Sequence, residues 1–132
     1  MMKTMLAASS ALVMLAGTAL AQDAAAPQMT MEDAYAAAQN QLGVLEYCQT
    51  EGGVTDEVID TQNRLLAMIP TPEDTAPALE AYGKGKEGTV ASMGQETTLA
   101  EVATARSTTE EALCQQMAEL VTQAAAQVPA AN

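Results

Sequence analysis

Leu113-Cys114-Gln115-Gln116-Met117-Ala118-Glu119-Leu120-Val121-Thr122-Gln123-Ala124 has the clearest apolar periodicity of the chain. Leu113, Met117, Leu120 and Ala124 recur at intervals of three and four, with Cys114, Val121 and Val128 in the adjacent row, so the stretch reads as an amphipathic helix. Pro129 ends it, lacking the amide proton that would continue the ladder. Ser107-Thr108-Thr109-Glu110 has the form of a capping box that opens it.

The same reading extends back along the chain. Thr30 with Asp33 predicts another capping box, and Met31, Tyr35, Ala38, Leu42, Leu45 and Cys48 then line one stripe of a first helix that stops before Gly52-Gly53. Thr55 or Asp56 caps a second helix, with Val58, Leu65 and Ile69 in one row, Ile59 and Leu66 in the next, and Pro70 as its end. Thr71-Pro72-Glu73-Asp74 has the form of a third start. Leu79, Tyr82, Val90 and Met93 keep a helical phase after it, broken or frayed around Gly83 to Gly88. Thr98-Leu99-Ala100-Glu101 opens a short helix through Arg106. No stretch alternates as a strand does, and none repeats. The expected fold is all-α, a small bundle of four to five helices.

Lys3, the apolar run from Met5 to Ala16 and the small residues of Ala19-Leu20-Ala21 predict a signal peptide over 1–21, cleaved between Ala21 and Gln22. About 12 apolar residues are too few for a hydrocarbon core that needs roughly 20. The expected divisions are then a flexible lead-in over 22–29, one helical domain over 30–129 and a tail over 130–132. The protein is expected to be exported, periplasmic or secreted. In that oxidising compartment the two cysteines, Cys48 and Cys114, predict one disulfide. Each lies on the apolar stripe of its helix, so a bridge would pin the first helix to the last inside the core. Closing so long a loop contributes roughly 4 kcal/mol in the chain-entropy account.

Removing 21 of the 132 residues leaves 111, and losing Lys3 moves the formal charge from −12 to −13. That balance excludes a nucleic-acid partner, although Leu99 to Leu113 superficially has the spacing of a helix-turn-helix. With no His and no Trp, the common catalytic base, the common metal ligand and the best stacking ring are absent, so no catalytic residue and no cofactor is expected. Asp56, Glu57, Asp60, Glu73 and Asp74 are acidic but lack calcium-loop spacing and read as a solvated face. Met29 and Met31 offer two thioethers for weak Cu(I) or Ag(I) binding, whereas Met68, Met93 and Met117 read as core filler. Gly83-Lys84-Gly85-Lys86-Glu87-Gly88 lacks the strand and the Lys-Ser/Thr ending of a phosphate loop. Lys84 and Lys86 are instead the candidate contact for an acidic partner, and the glycines permit close helix packing or a bend.

With the leader, the Leu45-Glu46-Tyr47-Cys48 helix end and the Leu113-Cys114-Gln115-Gln116-Met117 helix in view, the chain resembles small exported proteins labelled pore-forming, of the early secreted antigenic target family. The resemblance implies a small helical protein that binds partners and perturbs membranes. Tyr47 to Glu51 matches that family's Tyr-x-x-x-acid pattern, at the end of the first helix; its Trp-x-Gly turn has no counterpart here. A looser likeness is to periplasmic acid-stress chaperones. The expected function is non-enzymatic binding of a protein partner or a membrane through the face formed by Leu113, Met117, Leu120, Val121 and Ala124, with no small-molecule substrate.

Overall fold

Helix α1 (Met31–Glu51) begins where the Thr30 hydroxyl accepts the Asp33 amide while the Asp33 carboxylate accepts the Thr30 amide, the expected capping box. It ends at Gly52, whose left-handed φ of 92° suits a residue without a Cβ. In the computed structural model, residues 28–92 and 94–128 are described. The expected leader, the Ala21 to Gln22 junction, most of the lead-in, Met93, Pro129 and the tail lie outside them.

After α1 come α2 (Asp56–Leu66), α3 (Ala76–Lys86), strands β1 (Thr89–Ser92) and β2 (Gln95–Thr98), α4 (Leu99–Ala105) and α5 (Glu110–Ala126). The fold is mostly helical, as the periodicity implies. Its core joins Val44, Leu45 and Cys48 of α1, Val54 of the following turn, Leu99 and Ala103 of α4, and Leu113, Cys114 and Val121 of α5. Val58, Ile59 and Leu65 of α2 pack against it. The Cys48–Cys114 disulfide crosses this core with its Cα atoms 5.4 Å apart, and both cysteines have no exposed surface.

The opposite side of α1 is built differently, from small and polar residues. A Cβ on Gly43 would overlap the Tyr82 carbonyl oxygen and lie 2.9 Å from the Lys86 amide nitrogen. One on Gly85 would overlap the Asn40 carbonyl and lie 2.8 Å from the Val44 nitrogen. Helices α1 and α3 therefore cross backbone against backbone, and only hydrogen atoms fit at the two glycines. Farther along, the ring of Tyr47 lies against Gly88, where φ is +85°.

The hairpin corrects two expectations, that no strand exists and that Val90 continues a helix. Helix α3 runs unbroken through Gly83 and Gly85, and the chain leaves it at the Glu87-Gly88 turn. β1 and β2 pair antiparallel, Thr89 opposite Thr98 and Ser92 opposite Gln95, with Gly94 in the turn at φ 77°. Because the Leu99 amide bonds the Gly88 carbonyl, alternation of the ladder points the Thr89 carbonyl and the Ala91 amide away from β2. Asn40 meets them. Its Nδ2 donates to Thr89 O at 3.0 Å and to Ala81 O at 2.8 Å, and its Oδ1 accepts from the Ala91 amide at 2.9 Å. One buried side-chain amide thus covers the open edge of β1 and ties it to both α1 and α3.

Other boundaries move for local reasons. The stretch over Thr71 to Asp74 is not helical. Helix α3 starts at Ala76, whose amide bonds Asp74 Oδ1, with Pro77 in the first turn. Ser107 does not cap α5. It takes φ 51° as the left-handed stop of α4, with the Thr108 amide reaching back to Ala103 O, and Thr109 caps α5 by accepting the Ala112 amide. Met31 is exposed, so the expected α1 stripe is buried only from Leu42 onward, and Met68 is exposed instead of filling the core. The Thr98 to Glu101 box stands as expected. The Thr98 backbone and hydroxyl hold the Glu101 carboxyl below its ordinary range, so this cap stabilises above the unfolded-state value and is lost as pH falls through the folded one.

Gly43→Ala and Gly85→Ala should each destabilise the protein by about 1–3 kcal/mol or more. At Gly83, also in α3, a Cβ would meet nothing within 4 Å, and Gly83→Ala should stabilise by about 0.5–1 kcal/mol. Urea denaturation of the three variants checks the contrast; equal effects would remove the backbone crossing from the account.

Candidate interaction surface

Along α5 the predicted apolar row is covered at one end and open at the other. Leu113 is 5% exposed, Met117 is partly buried against the core, and Leu120, one position farther along the same row, is 60% exposed. Ala124 beyond it is exposed too. The adjacent row stays inside: Cys114 has no exposed surface and Val121 is 1% exposed. The five residues expected to form one binding face therefore divide. Leu113 and Val121 are core, Met117 is at the margin, and Leu120 and Ala124 face solvent.

Leu79 of α3 is similarly open, at 64%, because the α1 side of that helix is occupied by Ala78 and Gly85. Met29 and Met31 also face solvent at the start of the described chain. Among the described residues, no three His, Cys, Asp or Glu side chains converge where they could hold a metal ion. Within the acidic group, Asp56 accepts from Gln49, and Asp74 caps α3. A shallow recess of about 140 Å³ lies between α1, α3 and the hairpin, floored by Ala36, Ala37, Ala81 and Ala91. It has room for a few water molecules.

The two candidate lysines are engaged within the molecule. Lys84 pairs with Glu80 at 3.1 Å and with Glu96 of β2, so it braces α3 against the hairpin. The Glu96 and Glu80 carboxylates raise its pKa. Lys86 lies over the Tyr82 ring, 4.8 Å from its centroid, in cation–π geometry. An acidic partner would have to compete with Glu80 and Glu96 for Lys84.

Two tyrosines tie helices to α1 through their hydroxyls, a role that neither the helical phase of Tyr82 nor the Tyr47 to Glu51 pattern implied. Tyr82 of α3 donates to Glu46 Oε2 at 2.6 Å, and Tyr47 of α1 donates to Glu110 Oε1 of α5 at 2.9 Å. Each phenol is easier to keep protonated beside a carboxylate. The Glu46 hydrogen bond, with burial and charge repulsion adding to it, pushes Tyr82 up to about 12, and the Glu110 bond raises Tyr47 for the same reason. Gln62 of α2, also buried, donates to Ala38 O at 3.1 Å and anchors α2 to α1. The signal that could have disclosed the second face of α1 is the row Ala36, Asn40 and Gly43, which keeps helical spacing without large apolar residues and leads to Tyr47.

Among the described residues no helix is long and apolar enough to cross a membrane. Compared with protein-family models, curated proteins and solved structures, the chain matches none.

The Tyr82 contact contributes stability that is complete below the unfolded-state value near 10 and declines as pH climbs through about 12. Alkaline titration followed by tyrosinate absorbance should show one phenol ionising near pH 12. Tyr82→Phe should remove that step; its persistence in the variant would reassign it.

Proposed function

We propose that this chain is an exported, non-enzymatic helical protein that acts by binding another protein through the open end of α5. The observation that carries the reading is Leu120. It continues a row that is buried at Leu113 and half-buried at Met117, so the core-forming surface of α5 runs beyond the elements that cover it. A large aliphatic side chain at such a margin can extend the apolar contact to a second molecule. Export rests on Lys3, the Met5 to Ala16 run and Ala19-Leu20-Ala21. The acidic surface favours a partner with basic residues around the leucine contact. Membrane perturbation, which the resemblance to the early secreted antigenic target family implies, would use the same residues against lipid.

A photo-crosslinking side chain at position 120, introduced in the source cells, should give a discrete protein adduct, whereas the same group at Gln115 should not. Absence of any protein adduct would overturn the reading. If, in addition, the purified protein releases dye from anionic vesicles and Leu120→Gln abolishes the release, the face belongs to a membrane.

A further inference from the structure

We propose that the Cys48–Cys114 bridge is a one-way latch, which seats α5 on a substructure of α1, α3 and the hairpin that assembles without it. The two sides of α1 are held by different means. Toward α3 and the hairpin there are the Gly43 and Gly85 backbone crossing, three hydrogen bonds from Asn40, the Tyr82 to Glu46 bond and the Lys84 to Glu96 pair. All lie between residues 40 and 96 and none involves sulfur. Toward α5 the holding is sparser, with one close approach, at Gly53 just past α1, where a Cβ would overlap the Cys114 Cβ and lie 3.1 Å from the Glu111 carbonyl oxygen. Of the 17 residues of α5 only Leu113, Cys114 and Val121 are buried, and one of these is the bridging cysteine. Its side-chain hydrogen bond to α1 is Tyr47 to Glu110.

Before the bridge forms, α5 keeps its amphipathic row but lacks the covalent anchor near its N-terminal end, and Leu113, Met117, Leu120, Val121 and Ala124 are then one continuous exposed face. Closure needs a disulfide oxidant. One cysteine thiolate attacks the oxidant's disulfide, forming a mixed disulfide and releasing one oxidant thiol. The second cysteine, losing its proton, attacks the chain's sulfur in that mixed disulfide and expels the other oxidant thiol. The chain gives up two electrons and two protons; the oxidant gains both. Once closed, neither cysteine has exposed surface, so an external thiolate reaches no sulfur until the core opens. The latch operates whether or not Leu120 binds a partner.

Hydrogen exchange on the full chain tests this in three forms: oxidised, refolded under dithiothreitol, and Cys48→Ala/Cys114→Ala. Without the bridge, protection in α5 should fall by at least about a hundredfold, while the α1 amides from Asn40 to Val44 and those of α3 stay within about tenfold. The reduced wild type keeps both sulfur atoms in place and decides the matter if the alanine pair unfolds. Retained α5 protection would overturn the latch, and joint loss in α1, α3 and α5 would overturn the independent substructure. Native oxidised protein in dithiothreitol should show no alkylated cysteine until denaturant is added; prompt alkylation would refute one-way closure.

Discussion

Where α1 meets α3, the Asn40 and Tyr82 carbonyls occupy the space that side chains at Gly85 and Gly43 would need. The position of α3 follows from that exclusion. A crossing this close sets the distance at which the side-chain amide of Asn40 can reach both Ala81 in α3 and the outward edge of β1. It also brings Tyr82 within hydrogen-bonding distance of Glu46. The hairpin, attached to the end of α3 through the Glu87-Gly88 turn, inherits its placement from the same contact. Were the helices farther apart, the amide and carbonyl facing Asn40 would be left without that partner, a cost comparable to a large share of a small domain's stability.

Helix α1 therefore has two working faces of opposite character. One is aliphatic and meets α2 and α5 across Leu45 and Cys48. The other is small and polar, and meets α3 and the hairpin through Asn40 and Gly43, with Tyr47 against Gly88. Neither Phe nor Trp is available, and the large ring that packs against this core is that of Tyr47. Close packing at Gly43 and Gly85 on one side, and a covalent crosslink beside the close approach at Gly53 on the other, stand in for the missing rings. Leu79 and Leu120, the open leucines, sit where α3 and α5 turn away from these contacts.

The aliphatic face was legible at Leu45 and Cys48, because Leu and Cys at helical spacing report burial directly, whereas the buried Val44 lies off the expected stripe. The caps at Thr30 and Thr98 were legible for the same reason, since Asp33 and Glu101 stand three residues on. The small-residue face was legible only at Gly85, one of the glycines expected to permit close helix packing; Asn40 and Gly43 were not, because Asn and Gly count as polar or neutral in any apolar pattern. Thr89 to Thr98 failed as a strand signal for a related cause: a four-residue β1 of Thr-Val-Ala-Ser holds one large aliphatic residue, too little to show alternation. The α5 row was legible as a row, but where its cover stops depends on the length of neighbouring elements, which spacing alone does not encode. Ser107 shows a further limit. Ser-Thr-Thr-Glu fits a helix start, yet its first residue serves as the stop of the preceding helix.

The binding reading and the latch share this frame: one needs the C-terminal end of α5 free, the other needs its N-terminal part held by sulfur. The latch also presupposes that α1 and α3 form a fixed unit through their glycines. The most direct measurement of that unit is a nuclear Overhauser contact between the α-protons of Gly43 and Gly85 in the oxidised protein. A strong cross-peak is the predicted result, because the Cβ position on either glycine lies about 3 Å from the other's carbonyl carbon. Assigned spectra in which both glycines are visible and no such cross-peak occurs would contradict the account.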